Sequence, residues 1–162
     1  MAKLYPFSAY DKYLSLKPDL NMWLMFAFLL RPYVIFLLSI INGRDRMGLI
    51  NLIYFDRFVM ILAAIAAIPA VLVMYAFAKR KPEASDKVRW IWRRSGGFLL
   101  ASVLLNLLIV LVPALMGLLH ELGIIIWVEL GISVLIIYYL FSNERVRDTF
   151  ADFPDPVAPD KK

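Results

Sequence analysis

Three side chains sit where their chemistry is expensive. Arg31, Asn106 and Glu129 each fall inside an apolar stretch about twenty residues long. A charge near the centre of a bilayer costs about 2.5–3.5 kcal/mol on insertion scales, and such groups face a protein interior and find a partner. Arg31 lies ten residues before Ile41, about 15 Å along a helix, and Glu129 lies seven residues after Leu122, about 10 Å along one. An arginine side chain can bridge that difference in depth. Ser133 follows Glu129 by one turn on the same face, and Ser102, Asn106, Ile109 and Pro113 share a face at helical spacing. The expected arrangement is a buried polar cluster of Arg31, Asn106, Glu129 and Ser133. Its two readings are a neutralised ion pair with an asparagine bonding across helices, and a proton or substrate pathway. The ion pair is preferred, because one acid and one base without a second carboxylate make a thin relay. Pro32 also frees the carbonyl of Phe28, which a guanidinium could satisfy.

The elements that must hold these groups are four apolar stretches, about 20–41, 58–78, 97–119 and 122–141. About twenty apolar residues are what a helix needs to cross a hydrocarbon core. The chain has 162 residues and is 62% hydrophobic. Its mean hydropathy is +0.71. The expected fold is all-α: a polytopic membrane protein, a four-helix transmembrane bundle with short interfacial segments. Residues 1–19 read as a cytoplasmic interfacial arm, 20–142 as the transmembrane domain, and 143–162 as a cytoplasmic tail, mobile at its proline-rich end. No cleavable signal peptide is read in Met1–Pro18. The segments outside the spans are each too short to bury a soluble core. Met47–Phe55 is apolar but too short to span, and reads either as an interfacial segment or as an early start to the second helix.

Charge sets the orientation. With four spans, one face carries 14 Lys and Arg and the other only Arg44, Arg46 and Arg57. The positive-inside rule then places both termini in the cytoplasm. It also accounts for the net charge of +5. The loop cations, from Lys79 to Arg94, are expected to meet anionic lipid head groups rather than nucleic acid.

Other features weigh less. Ala63/Ala67 and Ala66/Ala70 are small-residue pairs that allow close helix approach. Pro69 and Pro113 are expected to kink their helices. His120-Glu121 marks a tight turn, with His120 an interface residue rather than a ligand. There are no cysteines and one histidine, so thiolate chemistry and multi-histidine metal sites are excluded. Neither a catalytic residue nor a cofactor or metal is expected. In the tail, Arg145, Arg147, Phe150 and Phe153 form a candidate surface for docking a partner, with docking of the phenylalanines on their own bundle favoured.

Several short stretches carry a family resemblance. They are Tyr10-Asp11, Leu16-Lys17-Pro18 and Trp23, then Phe28-Leu29-Leu30-Arg31-Pro32-Tyr33. Tyr54-Phe55-Asp56 and Ile68-Pro69-Ala70 follow, and the run from Arg145 to Pro154 is last. In this order they resemble DUF2919, a family of uncharacterised bacterial inner-membrane proteins. The resemblance implies a four-helix inner-membrane protein and implies no activity. The first functional expectation is a non-enzymatic accessory or interaction subunit of a membrane assembly. The alternative is a small oligomeric transporter or channel with Arg31, Glu129 and Asn106 lining its path. A membrane-protein partner or a homo-oligomer fits either.

Overall fold

A computed structural model describes residues 5–41, 48, 54, 57–115 and 123–154. These are helical throughout, apart from turns and one isolated bridge between Tyr10 and Leu16. After a short 3-10 turn at Phe7–Ala9 come α1 (Leu20–Leu29), α2 (Arg31–Ile41), α3 (Arg57–Ala66), α4 (Ile68–Ala78), α5 (Asp86–Arg93), α6 (Ser95–Leu115), α7 (Gly123–Ser142) and α8 (Glu144–Ala151). The turn at His120, most of the apolar stretch Met47–Phe55 and the end of the tail lie outside the described residues.

Two of the four expected helices are broken. The first bends by 63° between α1 and α2, and the second by 47° between α3 and α4. Both breaks have the same cause. Pro32 and Pro69 lack an N–H, so the carbonyls four residues earlier lose their helical donor, and the residue before a proline is pushed from helical angles. In each case the break falls two residues ahead of the proline, at Leu30 and at Ala67. Pro113 behaves differently, and α6 runs on past it to Leu115. The start of the first helix is set by Asp19, whose carboxylate accepts the Met22 N–H at 3.0 Å. Pro18 only precedes that cap.

Among the described residues, α6 is the one unbroken helix long and apolar enough to cross a membrane, with a mean hydropathy of 2.4 over Ser95–Val112. The number rises to four if each bent pair counts as one span, the third pair being α7 with α8, bent by 66°. α6 is also the central helix, packing on α3, α4 and α7. The alanine ridge is what lets it approach. Ala63, Ala66, Ala67 and Ala70 are all buried, and the Ser102 hydroxyl donates to the Ala66 carbonyl at 2.7 Å. The Tyr33 hydroxyl donates to the Ala64 carbonyl, also at 2.7 Å. Side-chain hydroxyls thus serve backbone carbonyls beside the break at Ala67, as an apolar surrounding requires. Ala67→Leu is expected to destabilise the fold by about 1–3 kcal/mol through overpacking. Thermal unfolding in detergent would measure it, and an unchanged midpoint would mean that the ridge is not a packing surface.

The main core joins Met22, Phe26 and Leu29 of α1 to Val73 and Ala76 of α4, Leu99 and Val103 of α6, and Ile136 of α7. It continues into Trp92 of α5 and Val146 and Phe150 of α8. A smaller cluster holds Ile35, Tyr54, Met60 and Ala63. Many large apolar side chains remain exposed around the helices, among them Leu37, Phe58, Leu108, Trp127, Leu135 and Phe141.

Candidate functional site

Arg31 falls in chain order between the two apolar clusters, and Asn106 and Glu129 lie at the edge of the main one. Arg31 lies between Leu29 and Ile35, Asn106 lies just beyond Val103, and Glu129 precedes Ile136. The break at Leu30 turns Arg31 into the first residue of α2, so its side chain leaves the helix axis at the elbow. It forms an ion pair with Glu129 through Nη2. The same nitrogen donates to Asn106 Oδ1 at 3.4 Å, and Nε donates to the Tyr54 hydroxyl at 3.3 Å. The guanidinium also stacks over the Phe28 ring, 4.3 Å from its centroid. Four separate stretches of chain therefore converge on one cation.

The structure brings Arg31, Asn106 and Glu129 together. Asn106 is buried, while the Arg31 and Glu129 side chains keep 18% and 13% of their surface. These hydrogen bonds do not extend to Ser133, whose Oγ is buried without a partner among the described residues. The described hydrogen bonds of the guanidinium run to side chains, not to the carbonyl that Pro32 frees. Tyr54 was the missing member. It stands in one of the short stretches that carry the family resemblance, but nothing in its local sequence marks it as a partner of Arg31.

Chemically, the arrangement is a neutral, mutually hydrogen-bonded set. The carboxylate meets a full positive charge, and that charge meets two further oxygens. Desolvating either ion alone would be unfavourable, and desolvating them as a hydrogen-bonded pair is tolerable. Among the described residues no group of three or more His, Cys, Asp or Glu is placed to hold a metal ion.

A second convergence lies at the other end of the main core. The arm, α5 and α8 are each too short to bury a core of their own, but together they do. Trp92 is fully buried, with Phe77 stacked at 6.1 Å and Phe150 edge-on at 5.3 Å between ring centroids. Its Nε1–H donates to the carbonyls of Thr149 at 3.2 Å and Asp152 at 3.0 Å. Those carbonyls end α8, where no intrahelical donor remains. The indole thus caps the helix that covers it.

Arg80 lies beside the same ring, 4.8 Å from its centroid. It donates to the Leu16 carbonyl at 2.9 Å, while the Leu16 N–H donates to Asp152 Oδ2 at 2.6 Å. One residue of the arm is therefore held between a cation of the central loop and a carboxylate of the tail. Burial pulls the Arg80 guanidinium below its ordinary pKa, and the carboxylates of Asp11 and Asp152 push it back up. The Tyr5 hydroxyl adds a hydrogen bond to Asp148 at 2.8 Å, and Tyr139 one to Asp19 at 2.5 Å.

In the tail, the two phenylalanines lie against the chain's own bundle, the arrangement favoured for them over a partner surface. Phe150 is buried against Trp92, and Phe153 lies under the Arg89 guanidinium at 4.7 Å. Both are spent on the chain's own core. Arg145 stands over the Tyr5 ring at 5.6 Å, and of the four only Arg147 is exposed.

The two convergences use the stretches that carry the family resemblance. Tyr10-Asp11, Leu16 and the run from Arg145 to Pro154 build the cap, while Arg31-Pro32 and Tyr54 build the inner cluster. No curated protein and no solved structure matches the chain. A family model described as "Protein of unknown function (DUF2919)" matches residues 5–152. That match covers nearly the whole chain, which therefore belongs to the DUF2919 family.

Proposed function

We propose that this chain is an integral protein of the bacterial inner membrane that crosses it four times, with both termini in the cytoplasm. In that membrane it serves as a non-enzymatic accessory or interaction subunit of a larger assembly. α1 with α2 and α3 with α4 each count as one span, and α6 and α7, from which α8 bends away by 66°, are the other two. The broad exposed apolar surface supports membrane burial, since patches of that extent mark membrane or protein contact.

One observation carries the subunit role. Arg31 is neutralised by Glu129 and further bonded to Asn106 and Tyr54, so the interior charges serve the fold. A subunit whose costly groups are absorbed in its own architecture acts through its surface. The test is solubilisation from native membranes in mild detergent, followed by native mass spectrometry. A second protein at fixed stoichiometry is expected. A chain recovered only as a monomer would overturn this reading.

The residual exposure of Arg31 and Glu129 favours one rival, a small oligomeric transporter whose path these residues and Asn106 line. A homo-oligomer that carries a pH-dependent flux in proteoliposomes, lost in Glu129→Gln, would establish the rival instead.

A further inference from the structure

The seven cations between Lys79 and Arg94 look alike in sequence, and the fold divides them. Arg80 is buried in the cap. Arg89 is turned inward, donating to the carbonyls of Pro82 at 2.6 Å and Pro154 at 3.4 Å. Lys79, Lys81, Lys87, Arg93 and Arg94 are exposed, against the exposed carboxylates Glu83 and Asp86. The outward charge of this loop is thus strongly positive and is not neutralised by its own acids.

Shape accompanies the charge. A groove of about 330 Å³ opens where α4 gives way to α5, lined by Tyr75, Lys79, Lys81, Glu83 and Ser85 among others. Below Tyr75 the exposed flank of α4 is aliphatic, with Leu72, Val71 and Ile68 open to the surroundings. On α5, Val88 and Trp92 are buried while Trp90 is half exposed. The Arg94 guanidinium stands over Trp90 at 4.7 Å, and Trp90 meets Phe98 edge-on at 5.9 Å, where α6 turns apolar. Lys87 and Trp90 lie on α5, Arg94 at its C-terminal cap and Phe98 in the first turn of α6. Cation, indole and apolar ring follow in the order that a membrane–water boundary imposes.

Resting on the membrane reading above, we propose that α5 and the groove before it form a binding site for the phosphate head groups of anionic phospholipids in the cytoplasmic leaflet. Lys79 and Lys81 hold one phosphate in the groove, with its acyl chains along Leu72 and Ile68. Arg94, braced by Trp90, meets a second. An anionic lipid is the occupant because a zwitterionic head group brings no net charge to answer the surplus of exposed cations. The aliphatic flank directly below the groove suits acyl chains and offers nothing to a soluble anion.

The test reconstitutes the full-length protein into nanodiscs of equal parts phosphatidylglycerol and phosphatidylethanolamine and reads the retained lipids by native mass spectrometry. Phosphatidylglycerol is expected to be enriched over the bulk mixture. The double variant Lys79→Gln/Lys81→Gln is expected to lower the enrichment by at least about fivefold, the scale of one surface charge near anionic lipid. Lys12→Gln/Lys17→Gln removes the same exposed charge from the arm and is expected to leave it unchanged. Absence of enrichment in the parent chain, or an equal fall in both variants, would overturn the site. Displacement of the lipid by millimolar inorganic phosphate would also overturn it and assign the groove to a soluble phosphate. Failure of the membrane reading is seen separately, as release of the parent chain from membranes by a carbonate wash.

Discussion

Glu129→Gln is expected to destabilise the protein by about 3–5 kcal/mol, the range for removing one partner of a buried pair. The reason is the cation left behind. Among the described residues, Arg31 would keep the Phe28 ring and, as hydrogen-bond acceptors, Asn106 at 3.4 Å and Tyr54 at 3.3 Å, two neutral oxygens at long distances. Arg31→Gln should lose a similar amount, because it strands the Glu129 carboxylate. The double variant should recover part of the loss, since two neutral amides need no counter-charge. Midpoints of thermal unfolding in detergent for the four proteins give the coupling directly. Residues in contact couple by about 0.5–3 kcal/mol, while independent ones add. Additive losses would mean that the pair contributes nothing as a pair.

The second large effect is expected at Trp92→Ala, at about 3–5 kcal/mol, as for a fully buried tryptophan. The indole fills the centre of the cap, between Phe77, Phe150 and the Arg80 guanidinium. It also ends α8 by donating to Thr149 and Asp152. Its loss should therefore release the tail as well as lower the melting point. Trypsin should cut the variant faster at Arg145 and Arg147, while the helices around α6 stay protected. Trp92→Phe should do less, because it keeps the apolar contacts and loses only the two hydrogen bonds. Equal protease resistance in the parent and Trp92→Ala would show that the tail is held by something other than this core.

The helices were readable because their signal is long. Stretches of about twenty apolar residues announce themselves whatever surrounds them, and a charge inside one needs a partner for reasons that precede any structure. Arg31, Asn106 and Glu129 could be named on that ground alone. Tyr54 could not, because a tyrosine beside an apolar run reads as an interfacial anchor, and only the bend at Leu30 aims Arg31 at it. The bends themselves were half visible. Pro69 and Pro113 look equivalent in sequence, yet the helix breaks near one and continues past the other.

The cap was hidden for a different reason. Its contacts span about 140 positions, from Leu16 to Asp152 and from Tyr5 to Asp148, and no local pattern predicts pairings at that range. Arg80 sits between Lys79 and Lys81, which are exposed, and periodicity over three residues cannot single out the buried one. Trp92 carries the same ambiguity, two residues from the half-exposed Trp90 on a helix that reads only as a basic loop. The phenylalanines of the tail read as needing a surface to cover, and for Phe150 that surface is the indole.

Four crossings with both termini inside can be tested most directly by labelling single cysteines, since the parent chain has none to interfere. Gly43→Cys and His120→Cys should react with a membrane-impermeant maleimide from the periplasmic side of intact cells whose outer membrane has been opened. Lys81→Cys and Lys161→Cys should react only after the inner membrane is breached. Labelling of Lys81→Cys from outside would contradict the topology, because a bent helix pair would then be a re-entrant loop and not a span.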